Sequence, residues 1–261
     1  MARPFLTARW SNLCLLTYPV PPAALEGRLP GGLELDTRDG QAFVSLVAFD
    51  FRDARVLGVP WPSYRNFAGA RFQSVPAEQK VPRSGFAEIN LRFYVRQGAD
   101  RGVVFIREFI PSRLAAWVAR TLYHEPYLAA PTASAVHQDP HSLTAEYLLV
   151  WRERTHSVSV TGRKPGNVPG PDTVEHFFKE HHWGFGTDRK GRLIRYEVQH
   201  PLWEVYPVAS FQVEFDFGLV YGPEWAFLNG ARPFSTILAA GSPIAVYPKG
   251  RPAFRRLAGP P

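Results

Sequence analysis

Between Glu88 and Arg96 the chain alternates without a break. Ile89, Leu91, Phe93 and Val95 fall on one side of an extended backbone, and Glu88, Asn90, Arg92, Tyr94 and Arg96 fall on the other. A period of two fits a β-strand and excludes a helix, whose period is about 3.6 residues. The same alternation recurs at Phe211, Val213, Phe215 and Phe217 against Gln212, Glu214 and Asp216. Further strands are expected at Asn12–Tyr18, Ala42–Phe51, Gly102–Phe109, Thr144–Trp151, Ser157–Thr161, Leu193–Gln199 and Ile244–Tyr247. The 25 prolines and 21 glycines are spread through the 261 residues and punctuate many short apolar segments, the rhythm of a turn-rich β protein.

Four helices interrupt this pattern. Ser112 is placed to cap one that carries Leu114, Trp117, Val118, Thr121 and Leu122 at helical spacing. Asp172, with Glu175 three residues on, is expected to cap a second, which would bury Val174, Phe177 and Phe178 and carry His176, His181 and His182. Shorter helices are expected at Pro22–Arg28 and Pro223–Leu228. The chain reads as one domain over residues 1–261, mainly β with flanking helices (α+β): a large curved sheet or barrel with helices packed outside. Pro60–Pro82, with four prolines, and Pro165–Pro171 read as excursions able to act as lids. The aromatics Trp61, Tyr64, Phe67 and Phe72 in the first would wall a pocket or anchor the loop.

Composition removes several classes of function. Thirty Lys+Arg against 23 Asp+Glu give +7, but the cations are scattered, mostly arginine, and densest only at Arg251, Arg255 and Arg256. A phosphate-tracking protein concentrates its charge on one face or in one run, so nucleic acid is not an expected partner. No apolar run reaches the length of about 18 residues that a membrane span requires. Met1–Thr7 has no apolar core, which makes the cytoplasm the expected location. Cys14 is the only cysteine, which excludes an internal disulfide or a multi-cysteine metal site, and its apolar neighbours favour an inert thiol.

The residues able to carry chemistry leave alternatives open. The row Glu88, Asn90, Arg92, Tyr94 and Arg96 is either the wet face of an open sheet or the lining of a lumen. In a lumen, Arg92 and Arg96 are placed to hold a carboxylate. Arg107 and Glu108 interrupt the apolar strand Phe105–Ile110. Consecutive residues face opposite ways, so one of them meets a polar cavity or both enter cross-strand ion pairs. His200 continues the register of Ile194, Tyr196 and Val198, either as a satisfied core histidine or as an acid/base group. His176 and His181 lie five apart, not the four that aligns two ligands on a helix, and no HExxH occurs, so no metal site is expected. The GxSxG, GxGxxG and Walker patterns are absent from the sequence.

Several stretches, taken in order, resemble a known family. They are Ala8-Arg9-Trp10, Tyr18-Pro19-Val20-Pro21-Pro22, Leu29-Pro30-Gly31-Gly32-Leu33-Glu34-Leu35-Asp36, Val56-Leu57-Gly58-Val59-Pro60, Glu88–Arg96 and Gly102-Val103-Val104-Phe105. Together they resemble the YqjF-like family, a bacterial family of unknown function, which is similar in turn to acetoacetate decarboxylase. The resemblance implies a cone-shaped, largely antiparallel β-barrel with a ligand site inside, and favours the lumen reading of Glu88–Arg96. Acetoacetate decarboxylase carries Gly-Arg-Glu and then Pro-Lys-Lys, whose first lysine forms a Schiff base. Here Ile106-Arg107-Glu108 is similar to the first element, but Pro111-Ser112-Arg113 stands at the second, and the five lysines lie elsewhere in sequence. Arg9 is similar in position to the decarboxylase's carboxylate-binding arginine.

The expected protein binds a small anionic or carbonyl-bearing metabolite through Arg9, Asn90, Arg92, Tyr94 and Arg107. Glu88, Glu108 and His200 are its candidate proton-transfer groups. No cofactor is expected, and self-association is left open. Any catalysis would be that of a lyase or isomerase working without a Schiff base. The alternative is a ligand-binding or protein-interaction module that kept the fold and lost the chemistry.

Overall fold

The computed structural model describes residues 3–61, 85–122 and 124–248. The Pro60–Pro82 excursion beyond Trp61 and the tail arginines lie outside these residues. Strands β1 (Leu6–Val20), β2 (Glu34–Leu35), β3 (Ala42–Val56), β4 (Val59–Pro60), β5 (Gly85–Gln97) and β6 (Asp100–Ile110) occupy the first part of the chain. Then come β7 (Tyr127–Ala129), β8 (Thr132–Gln138), β9 (Ser142–Trp151) and β10 (Arg154–Arg163). They are followed by β11 (Trp183–Thr187), β12 (Leu193–Gln199), β13 (Val205–Tyr206), β14 (Val208–Glu214) and β15 (Ser235–Val246). The α-helices are α1 (Ala23–Glu26), α2 (Arg113–Leu122), α3 (Val174–Lys179) and α4 (Phe217–Tyr221), with a 3-10 helix at Pro223–Leu228.

The larger sheet closes on itself. Pairing runs β5-β3-β1-β15-β12-β11-β6 and returns to β5, a ring of seven strands. Its contacts are antiparallel except β6 with β11, which meet in parallel over two pairs, Trp183 with Gly102 and Gly184 with Val103. That junction needs glycine, because a Cβ on Gly102 would stand 2.2 Å from the Trp183 carbonyl oxygen. β14-β10-β9-β8 form a second, antiparallel sheet. Leu46, Ala48, Ile89, Leu91 and Phe93 of the ring share an apolar core with Leu143, Tyr147, Leu149, Val158 and Val160 of that sheet. A separate core, with Leu13, Val47, Phe49, Tyr94, Val103 and Trp203, uses the opposite face of the ring strands.

β5 is therefore buried on both sides. Glu88, Asn90 and Tyr94 are 3%, 1% and 1% exposed, which rules out the wet-face reading of this strand. Arg96, the last of that row, is exposed and pairs with Glu34, so it does not join Arg92 as a carboxylate contact in the lumen.

Several local expectations shift. Ser112 Oγ accepts from Ala115 N as expected, but α2 makes its contacts through Ala115, Ala116, Val118 and Ala119. Leu114 and Trp117 turn outward. The cap of α3 is Thr173, whose hydroxyl accepts from His176 N, and the helix stops at Lys179. His181 and His182 consequently lie beyond the helix, on the approach to β11. β14 ends at Glu214, and Asp216 turns the chain into α4 by accepting from Leu219 N. The 165–171 excursion bridges to β13 at Asn167–Val205. No helix among the described residues is long and apolar enough to cross a membrane.

Candidate functional site

The ring encloses a cavity of about 160 Å³, well above the roughly 10–15 Å³ that a single water requires. Every ring strand lines it: Trp10 from β1, Phe49 from β3, Glu88, Asn90 and Arg92 from β5, Phe105 and Glu108 from β6, Trp183 from β11, Tyr196 from β12 and Val246 from β15.

A bulge decides which charge of the Arg107-Glu108 pair enters. On the β5–β6 ladder Leu91 faces Arg107 while Arg92 faces Phe105, so Ile106 is an extra residue on β6. Val103 and Phe105 point inward, and strict alternation would send Arg107 after them. The extra residue reverses the parity, so that Glu108 lines the cavity and Phe109 packs outside. Arg107 faces away and donates to the Val220 carbonyl in α4.

Three buried carboxyl groups meet at one end. Glu88 and Glu108 are hydrogen-bonded to each other. Asn90 Nδ2 donates to Glu88 Oε1 at 3.1 Å, and the Tyr127 hydroxyl to Glu88 Oε2 at 3.3 Å. The Tyr196 hydroxyl donates to Glu125. Burial lifts the pKa of Glu88 to about 7 and that of Glu125 to about 8. Glu108 is pushed well above the usual carboxylate range, by burial and then by the neighbouring Glu88 and Glu125 charges. Near neutral pH the cluster thus keeps protons that exposed carboxylates would have lost. Asn90 Oδ1, Arg92 Nε, Glu108 Oε1 and Glu125 Oε1 are buried without a hydrogen-bond partner among the described residues.

At the other end Arg92 lies with one amino group 3.5 Å from the Phe178 carbonyl and its guanidinium 5.9 Å above the Tyr94 ring. Lys179 and His181 also line the cavity. His181 Nε2 meets Asp36 Oδ2 at 2.9 Å, and burial lowers its pKa to about 4. Burial alone would raise Asp36, but hydrogen bonds from His181 and Arg101 hold it below its ordinary value. The Lys179 ammonium ion-pairs with Glu180. Trp10, Phe49, Phe51, Phe105 and Trp203 supply an apolar wall.

Of the residues read from the sequence as a site, Glu88, Asn90, Arg92, Glu108 and His200 line this cavity. Three do not. Arg9 is exposed on β1, between Arg52 and Pro243. Arg107 leaves the ring through the parity change. The Tyr94 hydroxyl is bonded to Ser45 and its ring is packed against Phe178, so it supports the site without lining it. Glu125, Tyr127, Lys179, His181 and Tyr196 were missed. Tyr196 shares the register that singled out His200, but the others carry no periodic signal.

Comparison with known proteins agrees with this architecture. The DUF2071 family model, described as an uncharacterized conserved protein, matches residues 7–243. The uncharacterized protein YqjF of Bacillus subtilis (strain 168) is 26% identical over 197 residues, covering 74% of this chain and 72% of that protein. Among solved structures, an acetoacetate decarboxylase superposes with TM-score 0.60 at 12% identity, over 95% of this chain and 89% of its own. The enduracididine biosynthesis enzyme MppR complexed with pyruvate gives TM-score 0.57 at 13% identity, over 95% and 90%. At these identities the likeness is one of fold.

Proposed function

The chain belongs to the DUF2071 family, and we propose that its ringed cavity binds a small carbonyl- or carboxylate-bearing metabolite and moves a proton on it through Glu88 and Glu108. The observation that supports this most is the joining, in one cavity, of the three protonatable carboxyls, Arg92 and four buried polar atoms without hydrogen-bond partners among the described residues. Buried polar groups of this kind are costly unless a ligand or solvent satisfies them. Arg92 is the anion contact, and the aromatic wall receives the apolar remainder of the ligand. Glu88 and Glu108 hold a proton between them and accept or return one at a carbon beside the carbonyl, as in an enolisation. The Lys179 side chain is engaged by Glu180 rather than directed at Glu88 and Glu108. MppR, of the same fold, is known complexed with pyruvate, which supports keto acids as the first compounds to try.

A thermal-shift screen of keto acids, enols and small carboxylates tests the reading on wild type, Arg92→Ala and Arg107→Ala. A ligand at about 100 times its Kd adds roughly 2.7 kcal/mol. For a chain of this length that is about 5–10 °C. The shift is expected in wild type and in Arg107→Ala, and is expected to vanish in Arg92→Ala. Silence across a broad panel would overturn the proposal and favour a partner-binding role.

A further inference from the structure

On the wall of the cavity that His200 shares with the outer surface, three metal-ligating side chains converge from separate elements. Glu180 caps the C-terminus of α3, His182 precedes β11, and His200 follows β12. β11 and β12 pair antiparallel, with Trp183 opposite Glu197, and Val198 N donates to the His182 carbonyl at 2.8 Å, which sets the two histidines side by side. Their rings are 4.8 Å apart. Glu180 Oε2 lies 3.4 Å from His182 Nε2, and one donor atom from each of the three residues falls within 4.8 Å of the others.

These separations suit one ion. Bonds of about 2.0–2.2 Å to nitrogen or oxygen place neighbouring tetrahedral ligands roughly 3.4 Å apart. The Glu180–His182 pair already has that spacing, and His200 needs only a small closure. The donors are also prepared for such a role. Lys179 holds Glu180 Oε1, while Oε2, on a side chain only 6% exposed, is turned toward His182 Nε2. His200 Nδ1 faces the Pro201 carbonyl at 3.0 Å, which assigns its proton there and leaves the Nε2 lone pair free. The ring stacks on Trp203 at 4.1 Å and 19°, which fixes its plane.

We infer that Glu180, His182 and His200 form a binding site for a divalent first-row transition ion such as zinc. Two imidazoles and one carboxylate suit that class, whereas calcium and magnesium favour all-oxygen sets of six or more ligands. Three protein ligands leave a coordination position open. His200 lines both the ring cavity and an outer pocket formed with His182, Glu197 and Gln199. The helical spacing that argued against a metal does not apply, because α3 ends before His181 and the third ligand comes from another strand. The inference does not depend on the proton-transfer role of Glu88 and Glu108.

The test is titration of the chelator-stripped, untagged full chain with zinc ion by calorimetry, and with cobalt(II) by visible absorption. Wild type is expected to bind one equivalent at micromolar zinc and to give cobalt bands typical of a low-coordinate nitrogen and oxygen set. His182→Ala and Glu180→Gln are each expected to weaken binding by at least about tenfold. The His182 side chain is 41% exposed, so its truncation leaves the packing nearly intact, and far-UV circular dichroism checks the fold. Absence of zinc uptake by wild type, or wild-type affinity in both variants, would overturn the inference.

Discussion

A carboxyl group deep in a protein is useful to chemistry only if something holds its proton within reach of a ligand. Glu108 meets this condition through burial, its bond to Glu88 and its place on the cavity wall. Glu108→Gln keeps the shape and removes the transferable proton. Turnover of a substrate found by the ligand screen should fall about 10²–10⁴-fold, with Kd changed only a few-fold. Steady-state kinetics beside calorimetry measures both, and equal turnover would remove Glu108 from the mechanism. Lys179 allows a second test at this scale. Borohydride added with a β-keto acid should leave the intact mass unchanged, and an adduct on Lys179 would replace proton transfer by an imine route.

Elements position these groups by closing the ring, and one of its two narrowest joints is the two-pair contact of β6 with β11. A methyl at Gly102 would collide with the Trp183 carbonyl, and a backbone atom cannot swing aside. Gly102→Ala should cost about 1–3 kcal/mol in denaturant unfolding. Gly27→Ala, at φ −70° with nothing within 4 Å of the new methyl, should be neutral or slightly stabilising. Equal stability of the two variants would mean that the joint is not tightly packed. The Ile106 bulge is the second device at this scale. One extra residue carries Arg107 out of the ring and Glu108 into it, a choice that the pattern Phe105–Ile110 leaves open.

The molecule as a whole carries the cost of burying acids. Glu88 and Glu125 have folded pKa values near 7 and 8 against an ordinary value of 4.5. A raised carboxyl pKa means that the folded state binds more protons between those limits. The contribution is fully present below about pH 4.5 and is lost as pH rises through about 8. Wild type should therefore lose thermal stability between pH 6 and pH 9. Glu125→Gln should show a shallower loss over the same span, and melting curves at the two pH values decide it. Identical slopes would show that Glu125 ionises freely in the folded chain.

Much of this was legible in the residues alone, for a local reason. A strand's alternation is written into consecutive side chains, so β5 and its polar row of Glu88, Asn90 and Arg92 could be read directly, as could the shared register of Tyr196, Val198 and His200 along and just past β12. The ordered segments carrying the family resemblance pointed to the fold for the same reason. Whether the polar row of β5 faced water or a lumen could not be read, because a strand does not record what lies across from it. Ring closure decided that by packing a second sheet on the apolar face. It also brought Glu125, Lys179 and His181 to the cavity from parts of the chain with no shared period. Arg9 and Arg107 were misplaced because a charge near a motif says nothing of its direction. A single-residue bulge, set by backbone pairing and leaving no mark in composition, turned Arg107 outward and Glu108 inward.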